Sequence, residues 1–257
     1  YYNNSILALN RAARDQGILT IEYQHSLQSD NHFAYSKWSE NLIRAKHHFP
    51  GLFWVWTEFD KQRIEANFNA LELSSNVFKG GNIYLTLLHK QYASKFKKKE
   101  NIILIALQGF WIPDYIQQVI ESDLNYKWFL RLHPRYPLDY DKASALAGKH
   151  PGKIFLEEAN DADLYELLAQ AKYVITAFSG VALEAQVFGC QAIIFSEDGY
   201  QSFKNYIEEG VFSFIKDKEK LMTILNGNKE YKQNFNELGA DKNRVLQNVI
   251  QIFETKN

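Results

Sequence analysis

The chain holds a single cysteine, Cys190, so it cannot form an internal disulfide. One thiol fits a reducing compartment. No apolar run reaches the roughly 18 residues that a transmembrane helix needs. No charge of one sign dominates. The 29 Lys and Arg stand against 30 Asp and Glu, a formal net charge of −1, so no global basic field draws nucleic acid. Internal repeats and low-complexity segments are absent. So is the compositional mark of disorder, because Phe, Trp and Tyr make 15% of the residues. The opening YYNNSILALN lacks a methionine and a cationic-then-apolar leader. It reads as entry into a helix, and residues upstream of Tyr1 are expected.

What the chain does have is apolar mass. Its 257 residues are 46% hydrophobic, enough for one large core or two smaller ones. Residues 4–16 carry apolar positions at 6, 7, 9, 12 and 13, with Asn or Ser for a cap and Gly17 behind, which predicts a helix. Residues 18–23 predict a short strand that ends at Gln24-His25-Ser26. A polar, aromatic loop follows to about residue 37. LFWVWT at 52–57 predicts a strand, 60–73 a helix and 83–89 a third strand. Trp54 and Trp56 alternate on one strand face and read as core. His47-His48 reads as a helix end, since adjacent side chains diverge and no ligand stands at metal spacing. HKQYASKFKKKE at 89–100 has no apolar periodicity. It reads as a linker or solvated helix end, with membrane-surface or phosphate contact as the alternative. The domain boundary is placed here, giving 1–95 and 96–257.

From residue 102 the pattern is regular. Apolar runs at 102–107, 127–132, 154–156, 173–176 and 191–195 alternate with helical stretches at 114–122, 142–148, 162–171 and 180–188. The tail at 217–255 reads as helical. Short continuous apolar strands between helices mean an α/β fold with a parallel sheet covered on both faces. Ligands of such sheets collect at the carboxyl ends of the strands. That rule gathers Gln108-Gly109, His133-Pro134, Glu157-Glu158, Ser179-Gly180 and Ser196–Gly199 on one edge. Hydroxyls, amides, an imidazole and glycines suit a phosphate and a sugar.

Each candidate has a plain structural reading beside the functional one. Ser179-Gly180 opens a helix whose first turn presents N–H groups to an anion, and Glu184 one turn on can accept two hydroxyls of a diol. The same spacing is a capping box. Pro134 holds His133 extended, so its imidazole can donate to a phosphate oxygen, or it is a satisfied strand-end histidine. Arg131 alternates with His133 on the same face. Glu22 and His25 end the strand of the first part, where a general base could stand, or they belong to a polar loop.

Taken together, HP after FLRL, then SGVALEA…FG…AIIF, resembles the C-terminal half of bacterial GT-B glycosyltransferases of capsule and lipopolysaccharide synthesis. The similarity extends to HP-motif CMP-sugar enzymes, the Kdo-, sialyl- and polysialyltransferases, and to CDP-glycerol glycerophosphotransferases. ARDQGILTIEYQHS…YSKW…FPGLFWVWTEFDKQRI is similar to the first half of the same pattern, with Ser26 where the family has glycine. The resemblance implies two Rossmann-like domains with parallel sheets facing a cleft, the first represented by its later part. It implies a nucleotide-sugar donor, CMP-linked first and UDP- or CDP-linked otherwise, held by His133, Pro134, Ser179, Gly180, Glu184, Gln108 and Gly109. Arg131 is a reserve of charge beside them. It implies a glycan or lipid-linked glycan acceptor, no cofactor or metal, and a catalytic base that is either Glu22 or His25, the candidates read from the residues, or a group upstream of Tyr1. Nucleic acid is no partner. The setting would be cytoplasmic, with peripheral contact at the inner membrane. A nucleotide-sugar 2-epimerase-like enzyme and a non-catalytic nucleotide- or glycan-binding protein are the alternatives.

Overall fold

Every strand pair in this computed structural model is parallel. The structure describes residues 3–25, 27–29, 32, 34–35, 45–71, 76–96, 98–135, 139–227 and 247. Ser26, most of the loop that follows it and the tail beyond 227 lie outside the described residues. The chain divides into two compact units, with the division between Thr86 and Leu87.

The first unit carries a three-stranded sheet in the order β1 (Ile21–Tyr23), β2 (Leu52–Val55), β3 (Val77–Lys79). β2 is central and buried at every position, as a strand covered on both faces must be. Helix α1 (Asn4–Asp15) starts on an Asn3 cap whose side chain accepts from the Ser5 amide. Helix α2 (Glu58–Ala70) starts on Thr57, whose hydroxyl oxygen accepts from the Asp60 amide. Its Ile64 and Phe68 pack with Phe49, Phe53 and Val55. Trp54 is held edge-on to Phe78, and its indole N–H donates to the Gly81 carbonyl at 2.8 Å. Gly80 lies against that ring: a Cβ there would meet it at 2.1 Å.

Residues 83–89 do not form the expected strand. They open helix α3 (Ile83–Lys95), and the strand lies earlier, at Val77–Lys79. The reason is Asn82. Its Oδ1 accepts from the Leu85 amide at 3.0 Å, the N-cap bond that starts a helix. Of the two readings of the Lys-rich stretch, linker or solvated helix end, the second applies to residues 89–95, which end this same helix.

The second unit is a six-stranded parallel sheet in the order β6 (Ile154–Phe155), β5 (Lys127–Arg131), β4 (Ile102–Ala106), β7 (Tyr173–Thr176), β8 (Gln191–Ile194), β9 (Ser213–Phe214). The helices are α4 (Asp114–Ile120), α5 (Tyr140–Lys149), α6 (Glu157–Asp161), α7 (Leu164–Gln170), α8 (Val181–Val187), α9 (Glu197–Ser202), α10 (Lys204–Glu208) and α11 (Lys218–Asn226). Ile103, Ile105, Leu130 and Ile175 of the sheet meet Ile116, Val119 and Ile120 of α4 and Leu221 and Leu225 of α11. In order of appearance the strands run 3-2-1-4-5-6, the doubly wound order with a switch point between its first and fourth strands. Here those are β4 and β7. Among the described residues, no helix is long and apolar enough to cross a membrane.

Asn82→Ala removes the cap of α3 and is expected to lower stability by about 1 kcal/mol. The urea midpoint should fall at unchanged slope, whereas Asn82→Asp, which keeps the acceptor, should lose less. An unmoved midpoint in the alanine variant would remove this account of the helix start.

Candidate active site

The switch point fixes where a crevice opens. The chain leaves β4 toward β5 and β6 on one side, then returns to β7, β8 and β9 on the other. Connections from β4 and β7 therefore part in opposite directions, and ligands of such sheets enter between them. Gln108 and Gly109 follow β4. Ser179 and Gly180 follow β7. His133 and Pro134 follow β5, one strand out. The sheet thus brings all six to one edge, as the sequence pattern suggested.

The turn after β4 is anchored. Gly109 sits at φ 76, a left-handed conformation that glycine adopts without strain. Its amide donates to Asp139 Oδ2 at 2.9 Å. Asp139 is buried, and nothing in the linear sequence links it to Gly109. Gln108 is half-buried, and its Oε1 is buried with no hydrogen-bond partner among the described residues. A buried acceptor left unmet costs about 1–3 kcal/mol, so this oxygen is a candidate to accept from a ligand. Phe110 and Phe178 meet edge to face at 5.4 Å across the two turns.

The turn after β7 is more self-satisfied than its sequence suggests. Thr176 Oγ1 donates to the Ala106 carbonyl at 2.9 Å and accepts from the Ser179 amide at 3.3 Å. The Val181 amide turns to Ser179 Oγ at 3.3 Å, and the Ala182 and Leu183 amides go to the carbonyls of Ser179 and Gly180. The first turn of α8 therefore does not offer the row of free N–H groups expected of it. Two donors remain: the Gly180 amide and the Ser179 hydroxyl, whose oxygen accepts and whose proton is left to give. A Cβ at Gly180 would meet nothing within 4 Å, so the space beside it is open. Gly199 of α9 closes the back of this turn. A Cβ there would lie 1.8 Å from the Ala177 carbonyl oxygen, which also accepts from Ser196 Oγ at 2.8 Å.

Glu184 is half-buried on α8, with no hydrogen bond or ion pair among the described residues. Burial alone pushes its carboxyl up to about 7. At neutral pH such a carboxyl is about half protonated, and when protonated it can donate one bond and accept others.

His133 Nδ1 accepts from the Arg135 amide at 3.1 Å. The neutral ring then carries its proton on Nε2, so the turn itself selects the tautomer. Pro134 stands in that turn. Arg131 has a different duty from the one its alternation with His133 suggested. Its Nη1 donates to the carbonyls of Ala159 and Ala162, each at 2.7 Å, at the end of α6. The guanidinium is thereby directed toward α6.

The carboxyl edge of the first sheet holds its own cluster. Glu22 accepts from the Tyr35 hydroxyl at 2.9 Å, and His25 is exposed. His32, which sequence spacing did not single out, lies 4.8 Å from the Tyr35 ring, tilted to it by 47°. Burial lowers its pKa, and nearby His25 adds to the shift. Gln24 is structural. Its Oε1 accepts from the Trp56 amide at 2.8 Å and its Nε2 donates to Asp60 at 3.1 Å. Asp60 is buried and also accepts from Thr57 Oγ1 and Arg63. Burial raises its pKa, with Arg63 opposing. A cavity of about 250 Å³, with Arg14, Lys46 and His47 over Phe49, Phe53 and Phe68, lies at the opposite, amino-terminal ends of β2 and β3. No three His, Cys, Asp or Glu side chains gather as a metal site among the described residues.

Two parallel α/β units, the second in the 3-2-1-4-5-6 order, place the chain in the GT-B fold class. Three solved structures carry the comparison. A Listeria monocytogenes structure assigned as a UDP-N-acetylglucosamine 2-epimerase matches with a TM-score of 0.66 at 18% identity, over 98% of this chain and 72% of that one. The UDP-GlcNAc 2-epimerase of Neisseria meningitidis, bound to UDP-GlcNAc, matches at 0.64 and 16%, over 95% and 73%. The wall teichoic acid polymerase TagF matches at 0.56 and 13%, over 93% and 68%. No family model matches the sequence, and no curated protein does.

Glu184 gives stability a sign with pH. Between the ordinary carboxylate range and about 7, the folded chain keeps a proton that the unfolded chain has lost. The stability from neutral Glu184 is complete below that range and is lost as pH rises toward about 7. Glu184→Gln is expected to abolish this fall when urea unfolding is compared at about pH 5 and about pH 8. An identical pH dependence in both proteins would show that the carboxyl is not raised.

Proposed function

We propose that the second unit binds a nucleotide-activated sugar at its carboxyl edge and that the protein acts on the bond between sugar and phosphate. The observation that carries this reading is unfilled hydrogen-bond capacity at the switch point: the Gln108 acceptor, the Ser179 hydroxyl, the Gly180 amide and the unpartnered Glu184 carboxyl. His133 Nε2–H and the Ser179 and Gly180 donors take the phosphates. Glu184 takes the ribose hydroxyls, with Gln108, Gly109 and Pro134 shaping the donor loop.

The reaction we favour is glycosyl transfer. An acceptor hydroxyl oxygen attacks the anomeric carbon, and the bond from that carbon to the phosphate oxygen breaks. The nucleotide leaves with the electron pair, and the hydroxyl proton passes to a base. Glu22 and His25 are the candidates for that base, and His32 joins them. Fixed donors at the developing phosphate charge supply the main stabilisation, so the step runs without a metal or other cofactor. The acceptor is a glycan or lipid-linked glycan of the bacterial surface. CMP-sugars were the first expectation from the HP motif. UDP- and CDP-linked donors now stand beside them, because similar structures contain UDP-GlcNAc and CDPG.

A second reading, 2-epimerisation of a UDP-sugar, is supported by the two epimerase structures just described. NMR of UDP-GlcNAc with the protein and no acceptor separates the two, since only an epimerase alters the sugar by itself. Calorimetric titration with CMP, CDP and UDP tests both. At least one should bind below millimolar, and His133→Ala should weaken it about tenfold or more, the loss of one charge-assisted bond. Failure of all three nucleotides to bind would sink the donor-site reading.

A further inference from the structure

β5 outruns its neighbour. β6 pairs with it only at Trp128–Ile154 and Phe129–Phe155. Leu130, Arg131 and the Leu132-His133 tip continue without a strand on that side. Unmet backbone groups at a half-buried position are costly, and the chain meets them with one side chain. Asn160, in the last turn of α6, accepts from the Leu132 amide through Oδ1 at 2.9 Å. Its Nδ2 donates to the Leu130 carbonyl at 3.0 Å. This donor and acceptor are what the backbone of a neighbouring strand would offer. The partners settle which end of the carboxamide is which, since an amide must meet oxygen and a carbonyl must meet nitrogen. Nδ2 also donates to the Leu156 carbonyl at 2.6 Å, tying the side chain to the start of its own helix. Arg131 closes the arrangement from the strand, with both its bonds on carbonyls flanking Asn160.

We propose that Asn160 is a positioning residue for His133. The inference rests on the reading of His133 as a donor contact. Asn160 stands in for a strand at the tip of β5, and the residue after the bonded Leu132 amide is the histidine. With the tip held, Pro134 and the Arg135 amide set the ring direction and tautomer. With the tip loose, the turn that selects Nε2–H has no fixed base.

The test uses ¹⁵N-histidine NMR on the full chain, with nucleotide titration alongside. In the native protein His133 Nδ1 should give the signal of an unprotonated acceptor. In Asn160→Leu it should move toward a tautomer mixture, and affinity for whichever of CMP, CDP or UDP binds should fall about tenfold. Adding His133→Ala on top should cost nothing further, the non-additivity of residues that act as one. Asn160→Asp keeps the Leu132 acceptor but loses both donors, and it carries the same test if the leucine variant does not fold. Mere destabilisation would move the unfolding midpoint and leave the folded protein's ring signal alone. An unchanged His133 signal in a folded variant, or additive losses in the double variant, would overturn the proposal. If the native protein binds no nucleotide while the ring signal still moves, the donor reading fails and the positioning role stands.

Discussion

The double pairing of β4 sets everything at the carboxyl edge. It is matched to β5 over five residues and to β7 over four, with Ala106 level with both Arg131 and Thr176. Three strand ends therefore finish nearly together. A slip of one residue on either side would turn every side chain of that strand to the other face. Thr176 reinforces the register from outside the backbone ladder by donating to the Ala106 carbonyl. Gln108, His133 and Ser179 inherit their placement from this match more than from any contact among themselves.

The turns beyond the strands are then finished by groups remote in sequence. Asp139 holds Gly109, Asn160 holds Leu132, and Ser196 with Gly199 backs Ala177. Each satisfies a backbone group where the regular ladder has run out. The switch point itself keeps open hydrogen-bond capacity, in an amide oxygen, a hydroxyl proton and a carboxyl raised by burial. A site held by remote groups is also easily misplaced by changes that never touch a ligand.

The parts legible in the sequence were those where one physical signal acts alone. β4, β7 and β8 are buried on both faces, so their apolar runs are nearly continuous and stand out, and β5 buries Trp128 and Leu130 on one face. β9 has two residues and β3 three, too short for any period to show. Ile83–Lys95 misled because IYLTLL is rich in strand formers, while its helix depends on the single Asn82 bond. The site residues were found by position, because strand ends can be read. Their contacts could not be. Arg131 alternates with His133 in sequence, yet its partners are set by α6, which lies some thirty residues on. The first turn of α8 looked free because a linear reading does not show the hydroxyl and carbonyl of Ser179 meeting its amides.

The tryptophans have a practical consequence. Trp54 and Trp56 are buried in the first unit, and Trp128 is fully buried in the second. Trp54 is bonded through its indole N–H, while the indole N–H groups of Trp56 and Trp128 have no partner among the described residues. Indole emission depends on polarity and on that bond, so bonded and unbonded indoles should differ in wavelength. Each half of the chain thus carries its own optical reporter. Replacing Trp111 and Trp128 together by phenylalanine would remove both tryptophans of the second unit and let melting of the first unit be watched by itself.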